Sequence, residues 1–199
     1  MIGTLEALET YLRALGQEEP SLAAECVLIR PGIDEAACVA LRTAFPGLPE
    51  SYLACARTFR FTGVQVGGFL LSPMAGRGTL VDGLLRTNSA VNPAWPRLSN
   101  EGFVEVALGE SDLVAVACKG SRVPEGSVLA LDLFDLEEAP ALLASSFEKF
   151  LLYAGNMMQI SAQLDGEEAV DELAERLVAL GATEIMVDGW SSIAEEFFF

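Results

Sequence analysis

The side chains of this chain that could do chemistry are carboxylates and four thiols, because the sequence contains no histidine. Without histidine, the usual general base, the usual zinc ligand and every Ser–His or Cys–His pair are excluded. The thiols of Cys26, Cys38, Cys55 and Cys118 form no C-x-x-C pair, and their neighbours are mostly apolar or small. We interpret them as buried free cysteines.

Cys118 is the thiol best placed for reactivity, since it ends a predicted strand and is followed by Lys119. A neighbouring cation can lower the pKa of a thiol and make it nucleophilic. An enzyme built on this cysteine would still have no histidine to assist it. We therefore predict that the protein is not an enzyme and that it uses no cofactor and no metal.

Acidic residues dominate the charge, because 29 Asp and Glu against 12 Lys and Arg give a net charge of −17. Such a field repels nucleic acid and favours a basic protein partner. The alternative is that the acidity serves only to keep the protein soluble. The charge is uneven, since residues 165–199 hold ten acids and one base, Arg176, and so carry −9 of the total.

Two acidic segments are the candidate partner-binding sites. The first is the turn with Glu110 and Asp112, although Ser and Asp also suit a tight turn for structural reasons. The second is the polar face of a predicted helix, with Glu167, Glu168, Asp171, Glu172 and Glu175. Trp95 is a third candidate, either as an exposed binding residue or as a loop side chain folded onto the core.

A further acidic group follows the third predicted strand of the sheet. Asp132, Asp135, Glu137 and Glu138 suggest a metal cluster or an acid pair at first sight. Their spacing does not match an EF-hand loop, and they span a strand end and its loop. We interpret them as a solvated rim.

The spacing of apolar residues, capping residues and glycines predicts the elements that must position these side chains. Helices are predicted at 5–15, 34–44, 49–58, 79–86, from Ser145 or Ser146 onward, and at 165–180. Strands are predicted within 59–72 and at 103–108, 113–118, 128–134 and 183–187. The segment 21–29 fits either a helix or a strand, and 88–101 is interpreted as a long loop.

The strands at 103–108 and 113–118 are joined by only four residues, which requires an antiparallel pair. Both faces of these strands are largely apolar, so we expect them to be central and covered on both sides. The predicted fold class is α+β, with an antiparallel-rich sheet, flanking helices and a C-terminal helix-strand extension.

These pieces together resemble the SUKH superfamily, the Smi/Knr-like immunity-protein fold. The resemblance rests on Leu48-Pro49-Glu50-Ser51-Tyr52-Leu53 after a helix, then on Phe103–Gly109, Gly126–Asp132 and Ser146–Leu151 in the family's order. It covers about residues 34–155, within one predicted domain spanning 1–199. The acidic extension, about 165–199, lies beyond the usual core.

The resemblance implies a function in binding rather than in catalysis, because the family has no shared catalytic residues. Many bacterial members resemble immunity proteins that neutralise a toxin, often a nuclease or a deaminase, and others are adaptor modules. We therefore expect a cytoplasmic protein that docks on a basic toxin domain, or an intracellular adaptor as the alternative. Homodimerisation is left open, and no membrane span or secretory signal is expected.

Overall fold

The computed structural model describes residues 1–18, 27–72 and 78–199. This part of the chain contains the helices α1 Leu5–Glu18, α2 Glu35–Ala44, α3 Glu50–Thr58, α4 Leu80–Thr87, α5 Trp95–Glu101, α6 Phe147–Ser161, α7 Gly166–Ala179 and α8 Glu184–Phe198. Its strands are β1 Gln65–Val66, β2 Phe69–Leu71, β3 Phe103–Leu108, β4 Asp112–Ala117, β5 Val128–Asp132 and β6 Ala141–Ala144. Cys26 and most of the ambiguous segment 21–29 lie outside the described residues.

The strands form one six-stranded sheet in the order β1-β2-β3-β4-β5-β6, with every neighbouring pair antiparallel. The α+β fold class is therefore confirmed. Each strand pairs with the next one along the chain, although the connection between β2 and β3 contains α4 and α5. The order places β3 and β4 in the middle of the sheet, as their apolar faces predict.

Both faces of the sheet are covered, as expected. Val114 and Val116 of β4 join the large core beneath α6, whereas the alternating Leu113 and Ala115 join a second core beneath α5. The period of two along the strand sends successive side chains to opposite faces. A bulge in β3 breaks this alternation, so that Ala107 packs in the large core rather than on the opposite face.

The predicted β segment within 59–72 is a tight hairpin of β1 and β2. Gly67 and Gly68 form its two-residue turn with φ of 54° and 81°. This left-handed conformation strongly favours glycine and suits a hairpin. A Cβ on Gly67 would lie 2.2 Å from the carbonyl oxygen of Ala154, so the glycine also lets the hairpin approach α6.

The largest correction concerns residues 183–187, which were predicted as a strand and are the beginning of α8. Its buried residues Met186, Trp190, Ala194 and Phe198 recur every four positions and form one helical stripe. The β-branched and apolar residues of 183–187 favour a strand locally, but burial of this stripe outweighs that preference. The C-terminal extension is consequently a pair of helices, α7 and α8, and not a helix followed by a strand.

Two further elements were not predicted. The segment 88–101, interpreted as a loop, contains α5, in which Pro96 occupies the first turn and Gly102 ends the helix with φ of 73°. Proline is tolerated in a first turn because its missing N–H has no partner there. Strand β6 was missed because Ala141–Ala144 consists of alanine and leucine, which are better helix formers than strand formers.

Helix α8 packs against β6, the edge strand of the sheet. The indole N–H of Trp190 donates to the carbonyl oxygen of Leu143 at 2.9 Å. The Trp190 ring contacts Phe69 and Phe150, with centroids 5.7 Å and 6.0 Å away. The helix therefore satisfies a backbone acceptor of an edge strand and buries its own largest side chain in the core.

Gly189 permits this close approach, which a substitution tests directly. A Cβ at position 189 would lie 2.7 Å from the carbonyl oxygen of Leu142. Alanine is worth about 1 kcal/mol more than glycine inside a helix, but a clash with backbone, which cannot turn aside as a side chain can, should cost about 2–3 kcal/mol, the upper part of the range for overpacking. We expect Gly189→Ala to lower the free energy of unfolding by about 1–2 kcal/mol in urea titration. Gly3→Ala is the control, because its Cβ would meet its nearest atom at 3.9 Å, and an unchanged G189A stability would contradict the packing.

Candidate functional site

Three neighbouring hollows open along α8 and share one lining residue, Glu196. The sheet-end groove, about 570 Å³, lies between α8 and the β5–β6 loop, residues 133–140. The turn hollow, about 400 Å³, lies between the β1–β2 hairpin, the β3–β4 turn and α8. The helix hollow, about 620 Å³, lies between α7 and the end of α8.

Carboxylates dominate the charged lining of these hollows, and together we call their surface the acidic face. Nine acidic residues line it, namely Glu110, Asp112, Asp132, Glu138, Glu167, Asp171, Asp188, Glu195 and Glu196. Among the described residues, no lysine and no arginine lines any of the three hollows. The acidic face therefore concentrates negative charge that no lysine or arginine of the described lining neutralises.

The helical period of α8 places its residues on this face. Ile185, Asp188, Ser192 and Glu196 line the sheet-end groove at spacings of three and four, which put them on one side of a helix. The buried stripe that begins at Met186 faces the core. Burying one side of α8 thus turns its acids toward the groove.

A hydrogen bond within the acidic face joins the β3–β4 turn to α8. The hydroxyl oxygen of Ser111 lies 2.6 Å from Oε2 of Glu196 and 3.1 Å from Oδ2 of Asp112. A hydroxyl carries one proton, so it satisfies only one of the two carboxylates at a time. Asp132 stands opposite Asp112 in the pairing of β4 and β5.

Burial raises the pKa of Asp112, and the nearby carboxylates of Glu196 and Asp132 raise it further, while the hydrogen bond from Ser111 acts in the opposite direction. Like charges close together disfavour ionisation of each other. A cation brought against Asp112 would favour its ionised form and so offset the cost of its burial and of the repulsion. The electrostatics of the acidic face therefore favour a positively charged group from outside.

Acids at the α2–α3 surface, by contrast, are paired with arginines of the same chain. Glu50 of α3 accepts hydrogen bonds from Arg42 at 2.8 Å and from Arg57 at 2.5 Å. These bonds lower the pKa of Glu50. The acidic face differs from this paired cluster, because none of its carboxylates forms an ion pair with a lysine or arginine of the described residues.

Large apolar side chains are exposed beside the acids. Phe134 and Ile185 both line the sheet-end groove and are 86% and 66% exposed. Phe199 lines the helix hollow and is 80% exposed. Exposed aromatic residues next to charged groups are typical of protein-binding surfaces.

The structure brings together two sets of predicted site residues that are far apart in the sequence. Glu110 and Asp112 line the turn hollow, and Glu167 and Asp171 line the helix hollow, with Glu196 common to both. Sequence reasoning missed Glu196 because it placed no helix at the C-terminus. The recurrence of apolar residues every four positions from 186 to 198 is the signal that would have revealed it.

The remaining predicted site residues lie away from these hollows. Glu172 forms an ion pair with Arg176 at 2.6 Å, and Arg176 also donates to Gln159 of α6 at 2.8 Å. Glu172 therefore helps to hold α7 on α6. Glu168 and Glu175 are exposed on α7 but are not among the residues that line the acidic face. Of the five predicted acids of this helix, two belong to the acidic face.

Trp95 begins α5 and is half-buried against the second core, which includes Leu98 and Leu113. Of the two alternatives for this residue, its position corresponds to a side chain folded onto the core. Trp95 belongs to the element that covers the sheet on the side opposite α6, and it lines none of the three hollows.

The groups that could have carried catalysis have other environments. Burial raises the pKa of Cys118 to about 11, which is the opposite of the lowering that Lys119 suggested. In residues 1–18, 27–72 and 78–199, no group of three or more Cys, Asp or Glu could hold a metal ion. No helix in this part of the chain is long and apolar enough to cross a membrane.

No protein-family model, no curated protein and no solved structure matches the chain.

One carboxylate is buried on β3, away from the acidic face. Glu105 is 4% exposed, and its side chain accepts a hydrogen bond from Asn92 at 2.6 Å. The side chain of Asn88 accepts a hydrogen bond from the backbone N–H of Glu105 at 2.8 Å and donates one to its carbonyl oxygen at 2.9 Å. Burial raises the pKa of Glu105 from 4.5 to about 7, although the bond from Asn92 opposes this. Since so little of Glu105 reaches solvent, we assign it to the folding of the segment that connects α4 to α5.

The raised pKa of Glu105 predicts a pH-dependent stability. Between the unfolded pKa of 4.5 and the folded pKa of about 7, the folded protein retains a proton that the unfolded chain releases. The stability that protonated Glu105 contributes is therefore fully present at a pH below its unfolded pKa. It is lost as the pH rises from that pKa to the folded pKa. Glu105→Gln removes the titration, so it should stabilise the protein increasingly as the pH rises.

The measurement is urea unfolding of wild type and Glu105→Gln from about pH 5.5 to about pH 8. We expect the stability advantage of the variant to grow by about 2 kcal/mol over this range, at about 1.4 kcal/mol per pKa unit. Glu125→Gln, at an exposed position, is the matched control and should show a nearly constant difference. A Glu105→Gln difference that does not depend on pH would contradict this account.

Proposed function

We propose that this protein is a non-catalytic binding module that docks a basic protein through its acidic face. The observation that carries the proposal is the set of three adjacent hollows, lined by nine acids and sharing Glu196. Complementary charge steers the encounter of two proteins and selects between partners. A basic domain would supply the cations that this face lacks among the described residues.

The exposed apolar residues support docking of a folded partner rather than loose ionic association. A specific interface buries about 800 Å² per partner, and a few aromatic residues near its centre carry most of the energy. Phe134 and Ile185 flank the sheet-end groove and are suited to this role. Steering by the acids would bring the partner in, and burial of these side chains would retain it.

The resemblance to the SUKH superfamily supports a particular class of partner. On that basis the partner is a toxin domain, such as a nuclease or deaminase, and the protein is its immunity protein. Nuclease toxins bind a polyanionic substrate with basic surfaces, and an acidic face could cover such a surface. The proposed mechanism is competition for the toxin's substrate site, which requires no chemistry from this protein.

The test is to co-express this chain with the product of the gene beside its own, the candidate toxin, and to measure binding with purified proteins. We expect a complex that survives size-exclusion chromatography and that restores growth to cells producing the toxin. Absence of both binding and protection would contradict the immunity function. Binding to a neighbouring product that is not toxic would favour the adaptor function of the same fold.

Neutralising the centre of the acidic face tests where the partner docks. The double variant Asp112→Asn, Glu196→Gln should weaken binding by about tenfold or more, mainly through slower association at low salt. The variant should be at least as stable as wild type, because it removes repulsion between two neighbouring carboxylates. Surface plasmon resonance at several salt concentrations separates the two rate constants.

The matched control for this variant is Glu168→Gln, Glu175→Gln, which removes the same charge from α7 outside the acidic face. We expect less than about a threefold change in affinity from it, through net charge alone. Equal losses of affinity in the two double variants would show that net charge, and not the acidic face, governs binding.

Phe134 provides an independent test that leaves the charge unchanged. Because it is 86% exposed, Phe134→Ser should alter the free energy of unfolding by less than about 0.5 kcal/mol. Removal of an aromatic hot spot should nevertheless weaken binding by about 2 kcal/mol, mainly through faster dissociation. Val91→Ser, 69% exposed on another part of the surface, is the control. An unchanged dissociation rate for F134S would exclude Phe134 from the interface.

A further inference from the structure

The β5–β6 loop forms one wall of the sheet-end groove. On the side of the loop away from the groove, Arg97 of α5 donates hydrogen bonds to its backbone. Arg97 donates from Nη2 to the carbonyl oxygen of Glu138 at 2.7 Å and from Nη1 to the carbonyl oxygen of Leu136. Its Nε donates to Oε1 of Glu101 at 2.9 Å. The planar guanidinium therefore binds two loop carbonyls and one carboxylate at once.

This arrangement is largely removed from solvent. The side chain of Arg97 is 16% exposed, and Leu136 packs against the second core beside it. Asp132 orders the start of the loop, since its Oδ1 accepts a hydrogen bond from the backbone N–H of Phe134 at 2.6 Å. The loop is thus fixed at its beginning by Asp132 and further along by Arg97 and Leu136.

Fixing the loop has a consequence for the groove. With Leu136 directed into the second core, Phe134 is left 86% exposed, and Phe134 and Glu138 line the groove. An eight-residue loop that had to be ordered on binding would lose affinity to conformational entropy. A loop that is already ordered avoids this cost.

We propose that Arg97 is a positioning residue for partner binding, which orders the β5–β6 loop so that Phe134 and Glu138 are presented to the partner. This inference rests on the proposed function, because it assigns a role within the same binding surface. Arg97 itself lies behind the wall and contacts no occupant of the groove. Its effect on binding would arise through the loop alone.

Hydrogen exchange of the free protein tests the ordering directly. Lysine has one ammonium group and cannot bind both carbonyls and Glu101 in the geometry of a guanidinium. In Arg97→Lys we expect about tenfold faster exchange at the amides of Phe134, Glu137 and Glu138, which are hydrogen-bonded within the loop. The amide of Leu133, bonded to the carbonyl oxygen of Ser111 in the adjoining turn, should be unchanged and reports local folding.

Affinity for the product of the neighbouring gene, the candidate toxin, is the second measurement, with Arg122→Lys at an exposed position as the matched control. We expect Arg97→Lys to weaken binding about five- to tenfold, mainly through slower formation of the productive complex, and Arg122→Lys to have no effect. Unchanged exchange in the loop would overturn the proposal, as would faster exchange with unchanged affinity. If wild type itself does not bind, the proposed function fails, while exchange still decides whether Arg97 orders the loop.

Discussion

The packing of α8 on the edge strand β6 is the constraint on which the rest of the surface depends. Trp190 inserts between aromatic side chains of the core and binds the carbonyl oxygen of Leu143, while Gly189 lets the two backbones approach. This contact fixes the rotation of α8 about its axis. Once Trp190 faces inward, the helical period directs Asp188 and Glu196 outward to the sheet-end groove.

The acidic face therefore depends on the core for its stability. Gathering nine carboxylates around three hollows raises the electrostatic free energy of the folded state, because like charges repel one another. The aromatic contacts among Phe69, Phe150 and Trp190 lie beneath this surface and oppose the repulsion through burial. Such unrelieved charge is useful to a protein whose partner supplies the opposite charge.

The sequence predicted the elements whose signals are local. The β3–β4 hairpin follows from its short acidic turn, and α6 begins directly after its cap Ser146, whose hydroxyl accepts from the N–H of Lys149 at 3.2 Å. The elements that were predicted wrongly or missed are those whose secondary structure depends on tertiary contacts. Thr183–Val187 has strand-like composition but forms the cap and first turn of α8. Ala141–Ala144 has helix-like composition but forms a strand that pairs with β5. Propensity is a weak signal where burial decides the outcome.

The same distinction explains how far the candidate site could be predicted. Acidic composition identified Glu110, Asp112, Glu167 and Asp171, but not their proximity to one another. Ser111 and Glu196, which bond across this face, are 85 positions apart in the sequence. Their meeting requires both the turn between two central strands and a helix that local composition does not reveal. A surface made by juxtaposition is therefore visible in the sequence only as separate acidic segments, and the packing of α8 on β6 is what makes them one surface.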